Sequence, residues 1–219
     1  MRTQSRTVVL VLMLLSAFVV SSCIVGVEGS GNVITESREV SDFNEIVLGG
    51  SGRVMVEVTG TESLTIEAED NIMPLLETRV SNGRLRLDTN RSISPTVEVV
   101  YTITAANLDG LAISGSGTVE AEAIDGTDFR ADISGSGNVE LEGMLSGLLS
   151  VSISGSGEFD GESLTAPDGE VDVSGSGNAV VNVTDTLEVA VSGSGDVGFL
   201  GEPSVDSEVS GSGNVSQRE

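Results

Sequence analysis

Apolar and polar residues alternate along the second half of the chain, on both sides of a recurring four-residue sequence, Ser-Gly-Ser-Gly. Each copy follows a β-branched apolar residue, and further apolar residues usually stand two positions before that one and five positions after the first serine. The residues between them are mostly Asp, Glu, Ser and Asn. This period of two predicts a strand, a glycine turn and a second strand, and no three- or four-residue period indicates a helix.

The Ser-Gly-Ser-Gly sequence recurs at a nearly constant step, beginning at Ser114, Ser134, Ser154, Ser174, Ser192 and Ser210. A fixed period of this size predicts coils that stack, each completing the core of its neighbours. About 20 extended residues trace roughly 60–65 Å, enough for a two- or three-sided coil. The glycines are predicted turn positions because glycine adopts positive φ without steric cost. They are Gly115, Gly117, Gly135, Gly137, Gly155, Gly157, Gly175, Gly177, Gly193, Gly195, Gly211 and Gly213.

Residues 30–108 lack the repeat, so we expect them to form less regular coils that close the N-terminal end of an all-β solenoid. Short strands are predicted here at residues 54–58, 64–67 and 96–104, with a short helical turn near Pro74. Asn82-Gly83, between two alternating segments, predicts a hairpin turn. The repeats occupy residues 109–219 with about 18–20 residues per coil. No comparable cap follows the last repeat, and an exposed strand edge of this kind predicts self-association.

Residues 1–22 predict an export signal, because Arg2 and Arg6 precede an apolar stretch too short to span a bilayer. The sequence Ser21-Ser22-Cys23 ends this segment and resembles a bacterial lipoprotein signal, in which the cysteine receives lipid. Cys23 is the single cysteine, so no disulfide forms within the chain. We therefore expect lipidated Cys23, a short tether over residues 23–29 and one domain over residues 30–219. The alternative is an ordinary secretory signal.

The predicted location is the cell envelope, with membrane attachment through the N-terminal lipid. Ile24 follows the cysteine where some Gram-negative lipoproteins carry an inner-membrane retention aspartate, which favours the outer membrane in such a bacterium. The net charge is −24, with no Lys or His, and removal of Arg2 and Arg6 makes it more negative by two. Such a surface repels nucleic acid, so no nucleic-acid partner is expected.

Acidic residues recur at two outward positions of successive repeats. Six positions after the first serine stand Glu120, Glu140 and Asp160, and eight positions after it stand Glu122, Glu142 and Glu162. In-register coils would place these carboxylates in two columns about 5 Å apart, where like charges repel. Either the columns form a solvated acidic face with diffuse counter-ions, or Ca²⁺ binds to their oxygens. No other cofactor is expected.

A family resemblance follows from the order of several short motifs. They are Gly31-Asn32-Val33, Asp42-Phe43-Asn44-Glu45-Ile46, Val80-Ser81-Asn82-Gly83-Arg84-Leu85 and the recurring Ser-Gly-Ser-Gly-Asn-Val. In this order, behind a lipoprotein-like signal, they resemble the family named putative auto-transporter adhesin, head GIN domain. The resemblance implies a right-handed, parallel β-helix-like domain on a bacterial envelope protein and carries no established activity.

Two classes of function remain open. The first is a non-enzymatic binding, adhesion or structural module whose partner is a surface protein, a glycan or, in a calcium-dependent form, a cation. The second is a polysaccharide-active lyase or hydrolase, of which the hydrolase would need two suitably spaced carboxylates. The absence of histidine and the scarcity of aromatic residues for stacking sugars favour the first class.

Overall fold

The computed structural model describes residues 26–218, and in that part strands dominate. The N-terminal strands are β1 (Val27–Glu28), β2 (Val33–Arg38), β3 (Glu45–Leu48), β4 (Arg53–Val58), β5 (Ser63–Glu69), β6 (Leu76–Ser81), β7 (Arg84–Thr89), β8 (Ile93–Ser94) and β9 (Val100–Ala105). The repeat strands are β10 (Gly110–Gly115), β11 (Thr118–Gly126), β12 (Phe129–Gly135), β13 (Asn138–Leu145), β14 (Leu148–Gly155), β15 (Glu158–Gly175), β16 (Asn178–Gly193), β17 (Asp196–Leu200), β18 (Ser204–Gly211) and β19 (Asn214–Gln217). A 3₁₀ turn at Met73–Leu75 precedes β6.

Apart from β1 and β8, which pair only with each other, the strands form two rows of a β-solenoid, which confirms the predicted fold class. In the repeats, sheet A contains the strands that precede each glycine turn, and its full order is β6, β7, β3, β10, β12, β14, β15, β16, β18. Sheet B contains the repeat strands that follow each turn, and its full order is β2, β5, β9, β4, β11, β13, β15, β16, β17, β19. The long strands β15 and β16 belong to both sheets because they continue around a corner of the coil.

The repeat fixes the register of the coils. The first serines of successive turns, from Ser114 to Ser210, are Cα partners of one another throughout sheet A. Identical inward positions therefore stack, and their side chains form the core between the sheets. One buried column is Ile113, Ile133, Ile153, Val173 and Val191, and another is Val119, Val139, Phe159, Ala179 and Val197. The pattern of apolar positions in the sequence therefore identifies the core of the repeats.

The glycine turns are continuous backbone ladders, and their two glycines have different functions. In five of the six turns the first glycine has positive φ, for example +134° at Gly155, whereas Gly115 in the first turn and the second glycine of every turn do not. A side chain at Gly157 would instead overlap Ile133 of the preceding coil. Between coils, the amide of Ser156 donates a hydrogen bond of 2.8 Å to the carbonyl of Gly135. The turn therefore requires glycine once for conformation and once for close packing.

The N-terminal region closes its end of the solenoid with antiparallel strands, but its coils do not follow chain order. Strands β3 and β4 lie between β7 and β9 on one side and β10 and β11 on the other. Strands β2, β5 and β6 form antiparallel pairs beyond them. The predicted hairpin at Asn82-Gly83 joins β6 to β7, and both of its residues have positive φ, as a type I′ turn requires.

At the other end, β18 and β19 pair with a neighbour on one side within residues 26–218. The side chains of Val205 and Val209 are 39% and 41% exposed there, at positions equivalent to buried residues of earlier coils. This is the edge that the sequence predicts to self-associate. The structure holds a single chain, and self-association stays a prediction.

Candidate functional site

A buried carboxylate holds the N-terminal segment against the cap. Glu69, at the end of β5, is fully buried, and its Oε1 accepts a hydrogen bond of 2.6 Å from the amide of Gly31. Thr96 donates to the same carboxylate through its hydroxyl, at 2.5 Å, and through its amide, at 3.0 Å. The hydrogen bond from the Thr96 hydroxyl contributes most to lowering the pKa of Glu69, and hydrogen bonds from backbone amides lower it further. The ionised carboxylate thus joins three segments of the cap.

Asp70 strengthens the same attachment from the exposed side. Its carboxylate accepts hydrogen bonds from the Ser30 hydroxyl, at 2.5 Å, and from the Asn32 side-chain amide, at 2.9 Å. These two bonds lower the pKa of Asp70, with the Ser30 bond the larger cause. The side-chain amide of Asn71 also donates to the carbonyl of Glu28, at 2.7 Å. Residues 28–32 are therefore part of the folded domain.

The Glu69 contacts predict a pH-dependent stability. Because its folded-state pKa is lowered, its stabilisation is present above the ordinary glutamate pKa of 4.5 and is lost as the pH falls through the lowered value. Glu69→Gln should lower the melting temperature by several degrees at pH 7, because an amide NH₂ group would face the Thr96 donors. The difference from the unmodified protein should shrink below pH 4.5.

The matched control is Glu67→Gln, because Glu67 lies on the same strand with an exposed side chain. Melting temperatures of both variants across pH 3–8 test the assignment. A Glu69→Gln protein that melts like the Glu67→Gln protein at pH 7 would contradict it.

The predicted lipidation residue, Cys23, lies outside the described residues. The segment predicted as a tether is partly structured, since Val27–Glu28 pairs in parallel with Ile93–Ser94 beside the cap. Gly26, the first described residue, is three positions after Cys23, so the Cα atoms of these two residues are at most about 11 Å apart. A lipid on Cys23 would therefore hold the N-terminal cap close to the membrane. No helix within residues 26–218 is long and apolar enough to cross a membrane.

The first predicted acidic column is in register on the outer face of sheet B. Glu120, Glu140 and Asp160 are consecutive Cα partners on β11, β13 and β15. Arg53 forms an ion pair with Glu120 at one end of the column and another, at 3.4 Å, with Glu98. Glu120 is the main cause of the raised pKa of Arg53. At the other end of the column, Oδ1 of Asp160 accepts a hydrogen bond of 3.0 Å from the backbone amide of Glu162, two residues later in the same strand.

The second predicted column, Glu122, Glu142 and Glu162, lies where the strand register is interrupted. Glu122 and Glu142 share a shallow depression of about 90 Å³ with Glu120 and Glu140. Even so, no three acidic side chains among residues 26–218 come close enough together to hold a metal ion. Calcium binding by the six predicted residues stays a prediction.

The outer surfaces of the described solenoid carry shallow depressions. The depression beside Glu120 and Glu122 has a volume of about 230 Å³, with Met55 and Ile103 among its other lining residues. Tyr101 is buried nearby in the core, and burial raises its pKa to about 12, so its phenol stays neutral at physiological pH. The geometry offers broad sheet surfaces for contact with an extended or flat partner.

Stacked coils with flat outer sheets define a β-solenoid of the kind that presents a surface to a partner. The family model described as "Putative auto-transporter adhesin, head GIN domain" matches residues 42–203. The chain belongs to this family, which confirms the resemblance seen in its sequence motifs. No curated protein matches the chain.

Solved structures share the fold. A putative adhesin from Bacteroides fragilis NCTC 9343 has a TM-score of 0.68 and 24% identity, over 88% of this chain and 100% of that one. A putative lipid binding protein from Parabacteroides distasonis ATCC 8503 has a TM-score of 0.57 and 22% identity, over 88% and 99%. A putative adhesin from Parabacteroides merdae ATCC 43184 has a TM-score of 0.53 and 18% identity, over 89% and 99%. At these identities the likeness concerns the fold alone.

Sequence reasoning missed the residues that fasten the cap. Glu69 and Asp70 look like two more acids in an acidic chain, and only burial distinguishes Glu69. Arg38 was also missed, although its guanidinium donates to the carbonyls of Leu76, at 2.8 Å, and Met73, at 3.2 Å. These partners are distant in sequence, so no local motif signals them.

Proposed function

We propose that this protein is a lipid-anchored module of the cell envelope that binds a surface partner without catalysing a reaction. Membership of an adhesin-head family is the observation that carries the proposal. It supports a binding role and an extracellular or envelope location. The described solenoid fits this role, because register-stacked strands provide rigid outer sheets that extend over many coils.

The proposed anchor sets the orientation of the domain. Lipid on Cys23 would place the capped end of the solenoid next to the membrane, because β1 joins the domain at that end. The coils from β10 to β19 would then stack away from the bilayer, with sheets A and B accessible on their flanks. In a Gram-negative cell we place the anchor in the outer membrane.

The anchor and the adhesion role can be tested in cells that express the full chain. Cys23→Ser should move the protein from the membrane pellet to the soluble fraction, because the proposed lipid is attached through the thiol and supplies the membrane affinity. Cells with the unmodified protein should adhere to at least one member of a panel of immobilised proteins and of neutral and charged glycans. Cells with the Cys23→Ser protein should adhere no better than cells that lack it.

Ser21→Ala is the matched control, since it keeps a small residue before the cysteine and should leave the protein in the pellet. A Cys23→Ser protein that stays in the pellet would refute the anchor. If cells with the unmodified protein adhere to no surface of the panel better than cells that lack the protein, the binding role is refuted.

A further inference from the structure

The two ends of the solenoid are closed differently. At the capped end, Arg38 of β2 points inward and reaches from sheet B to sheet A, where it donates hydrogen bonds to the carbonyls of Leu76, at 2.8 Å, and Met73, at 3.2 Å. The same guanidinium forms an ion pair of 2.7 Å with Glu36, which also lies on β2. Inward-pointing charges of this kind protect a sheet edge from pairing with another chain.

The last coil has no such closure within residues 26–218. Its edge strands, β18 in sheet A and β19 in sheet B, each pair on one side, and no side-chain hydrogen bond joins them across the end in that part of the chain. Val205 and Val209 lie at inward positions of β18, in register with two buried residues of β16. They are 39% and 41% exposed, although the end coils of solenoids need a polar outer face for solubility.

A partner for this end must supply two strand edges at once, separated by the spacing of sheets A and B. A second copy of the same end meets this requirement, because a two-fold axis normal to both sheets places β18 and β19 each antiparallel to its own copy. The eight residues of β18 span about 26 Å, and two packed sheets with their outer side chains are about 20 Å thick. The two ends together would therefore bury about 1,000 Å², the lower limit for a specific interface.

Antiparallel pairing about Ser207 brings the exposed apolar residues of the two ends together. With Ser207 on the two-fold axis, Val205 of each copy lies opposite Val209 of the other, on the inward side. Ser207 lies opposite its own copy, where the two hydroxyls can share a hydrogen bond. This register accounts for a serine at an inward position that is apolar in every earlier repeat.

The outward side of the same strand carries two acids. In this register Asp206 of each copy lies opposite Glu208 of the other, so two like-charge pairs oppose the contact. All of these side chains are exposed on the outer face of sheet A, where salt screens their repulsion. Association of the two ends should therefore be stronger at high salt.

We propose that two copies of this protein join through their C-terminal ends and that this contact links two cells. The inference rests on the proposed function and names its surface partner as the same protein. The proposed anchor lies at the capped end, beside β1, so the open end of the described solenoid is farthest from the membrane. A two-fold contact there places the two anchors at opposite ends, in two facing membranes. A single contact of this size is weak, but many copies on each surface act together.

The test in solution uses the mature chain without its lipid, residues 24–219. Analytical ultracentrifugation over a concentration series should show a monomer–dimer equilibrium that shifts towards the dimer at high salt. Val209→Glu should weaken dimerisation at least ten-fold, because one substitution places a charge in both symmetric valine contacts. The matched control, Ile34→Glu, adds the same charge at a residue that is 39% exposed at the capped end. It should dimerise within two-fold of the unmodified protein.

Two further variants test the geometry of the contact and leave the valines unchanged. Glu208→Gln should strengthen dimerisation by about two- to thirty-fold, since it removes both like-charge pairs. Its control, Glu188→Gln on the adjacent strand β16, should change dimerisation by less than two-fold. Ser207→Cys should form a disulfide-linked dimer on oxidation, because opposite residues of antiparallel strands have Cα atoms about 5 Å apart. The fragment has no other cysteine, and Ser81→Cys, at the edge of the capped end, should stay monomeric.

Cells that express the full chain test the contact between surfaces. Two populations with different fluorescent labels should form mixed clumps when both carry the unmodified protein or the Ile34→Glu protein. They should stay dispersed when both carry the Val209→Glu protein.

Each outcome supports or overturns the proposal. It is overturned by a protein that stays monomeric at every concentration, by a Ser207→Cys protein that cross-links no more than Ser81→Cys, or by equal weakening in Ile34→Glu, which would involve the capped end. A dimer in solution without clumps would overturn the link between cells. Adhesion to the panel of surfaces is measured separately, so failure of this contact is distinct from failure of the proposed binding role.

Discussion

Replacing Gly155 with valine is expected to destabilise the protein by about 3 kcal/mol or more, the combined cost of strained backbone and steric overlap. The φ of Gly155 is +134°, a region that β-branched residues strongly disfavour. The new Cβ would also overlap the carbonyl oxygen of Gly135 in the preceding coil. That oxygen accepts the Ser156 amide, so the chain cannot shift without breaking the ladder between coils.

Urea unfolding of the Gly155→Val protein measures this effect, with Ser156→Val as the matched control. Ser156 is exposed and contributes only its amide to the ladder, so its replacement should change stability by about 0.5 kcal/mol or less. Equal stability of the two variants would show that the turn does not require glycine at position 155.

Replacing Phe159 with alanine is expected to cost about 3–5 kcal/mol, the range for loss of a buried aromatic ring. Phe159 is fully buried, and its register partners in the adjacent coils are Val139 and Ala179. A side chain at Gly161 would lie 2.7 Å from the ring. The ring therefore fills space that Ala179 and Gly161 leave open, and neither of these residues can fill the resulting cavity.

The matched control for Phe159→Ala is Val209→Ala, because Val209 lies at the open end of the solenoid and is 41% exposed. Its replacement should cost less than about 1 kcal/mol, since it loses less buried area. Thermal and urea unfolding of both variants provides the comparison. Similar losses for the two would mean that burial in the repeats does not determine the stability of the solenoid.

The repeats could be predicted from the sequence because their contacts recur at one separation. The step from Ser134 to Ser154 to Ser174 is also the step between Cα partners in sheet A. Alternation around each turn then assigns Ile133 and Ile153 to the core, where the structure places them. The last two steps, which end at Ser192 and Ser210, are slightly shorter and keep the same register in β16 and β18.

The cap could be predicted only in its local elements. The hairpin at Asn82-Gly83 and the turn at Met73–Leu75 depend on neighbouring residues, and both are present. The insertion of β3 between β7 and β10 depends on the pairing of Glu45 with Arg84 and Gly110, which are distant in sequence and follow no period. The burial of Glu69 follows from the same long-range packing, because Gly31 and Thr96 reach it from opposite directions along the chain.

The sequence by itself determined the coil length, the turn positions and the inward residues of the repeats. Each coil packs only against its neighbours, so every coil needs the same pattern of residues. Only the tertiary structure decided the order of strands in the cap and which residues of the cap lie beside the repeats. Glu45 comes from the irregular region and Arg130 from the repeats, so they share a face only because β3 and β10 pair. Contacts that occur once carry no repeated signal, and the folded chain alone brings their residues together.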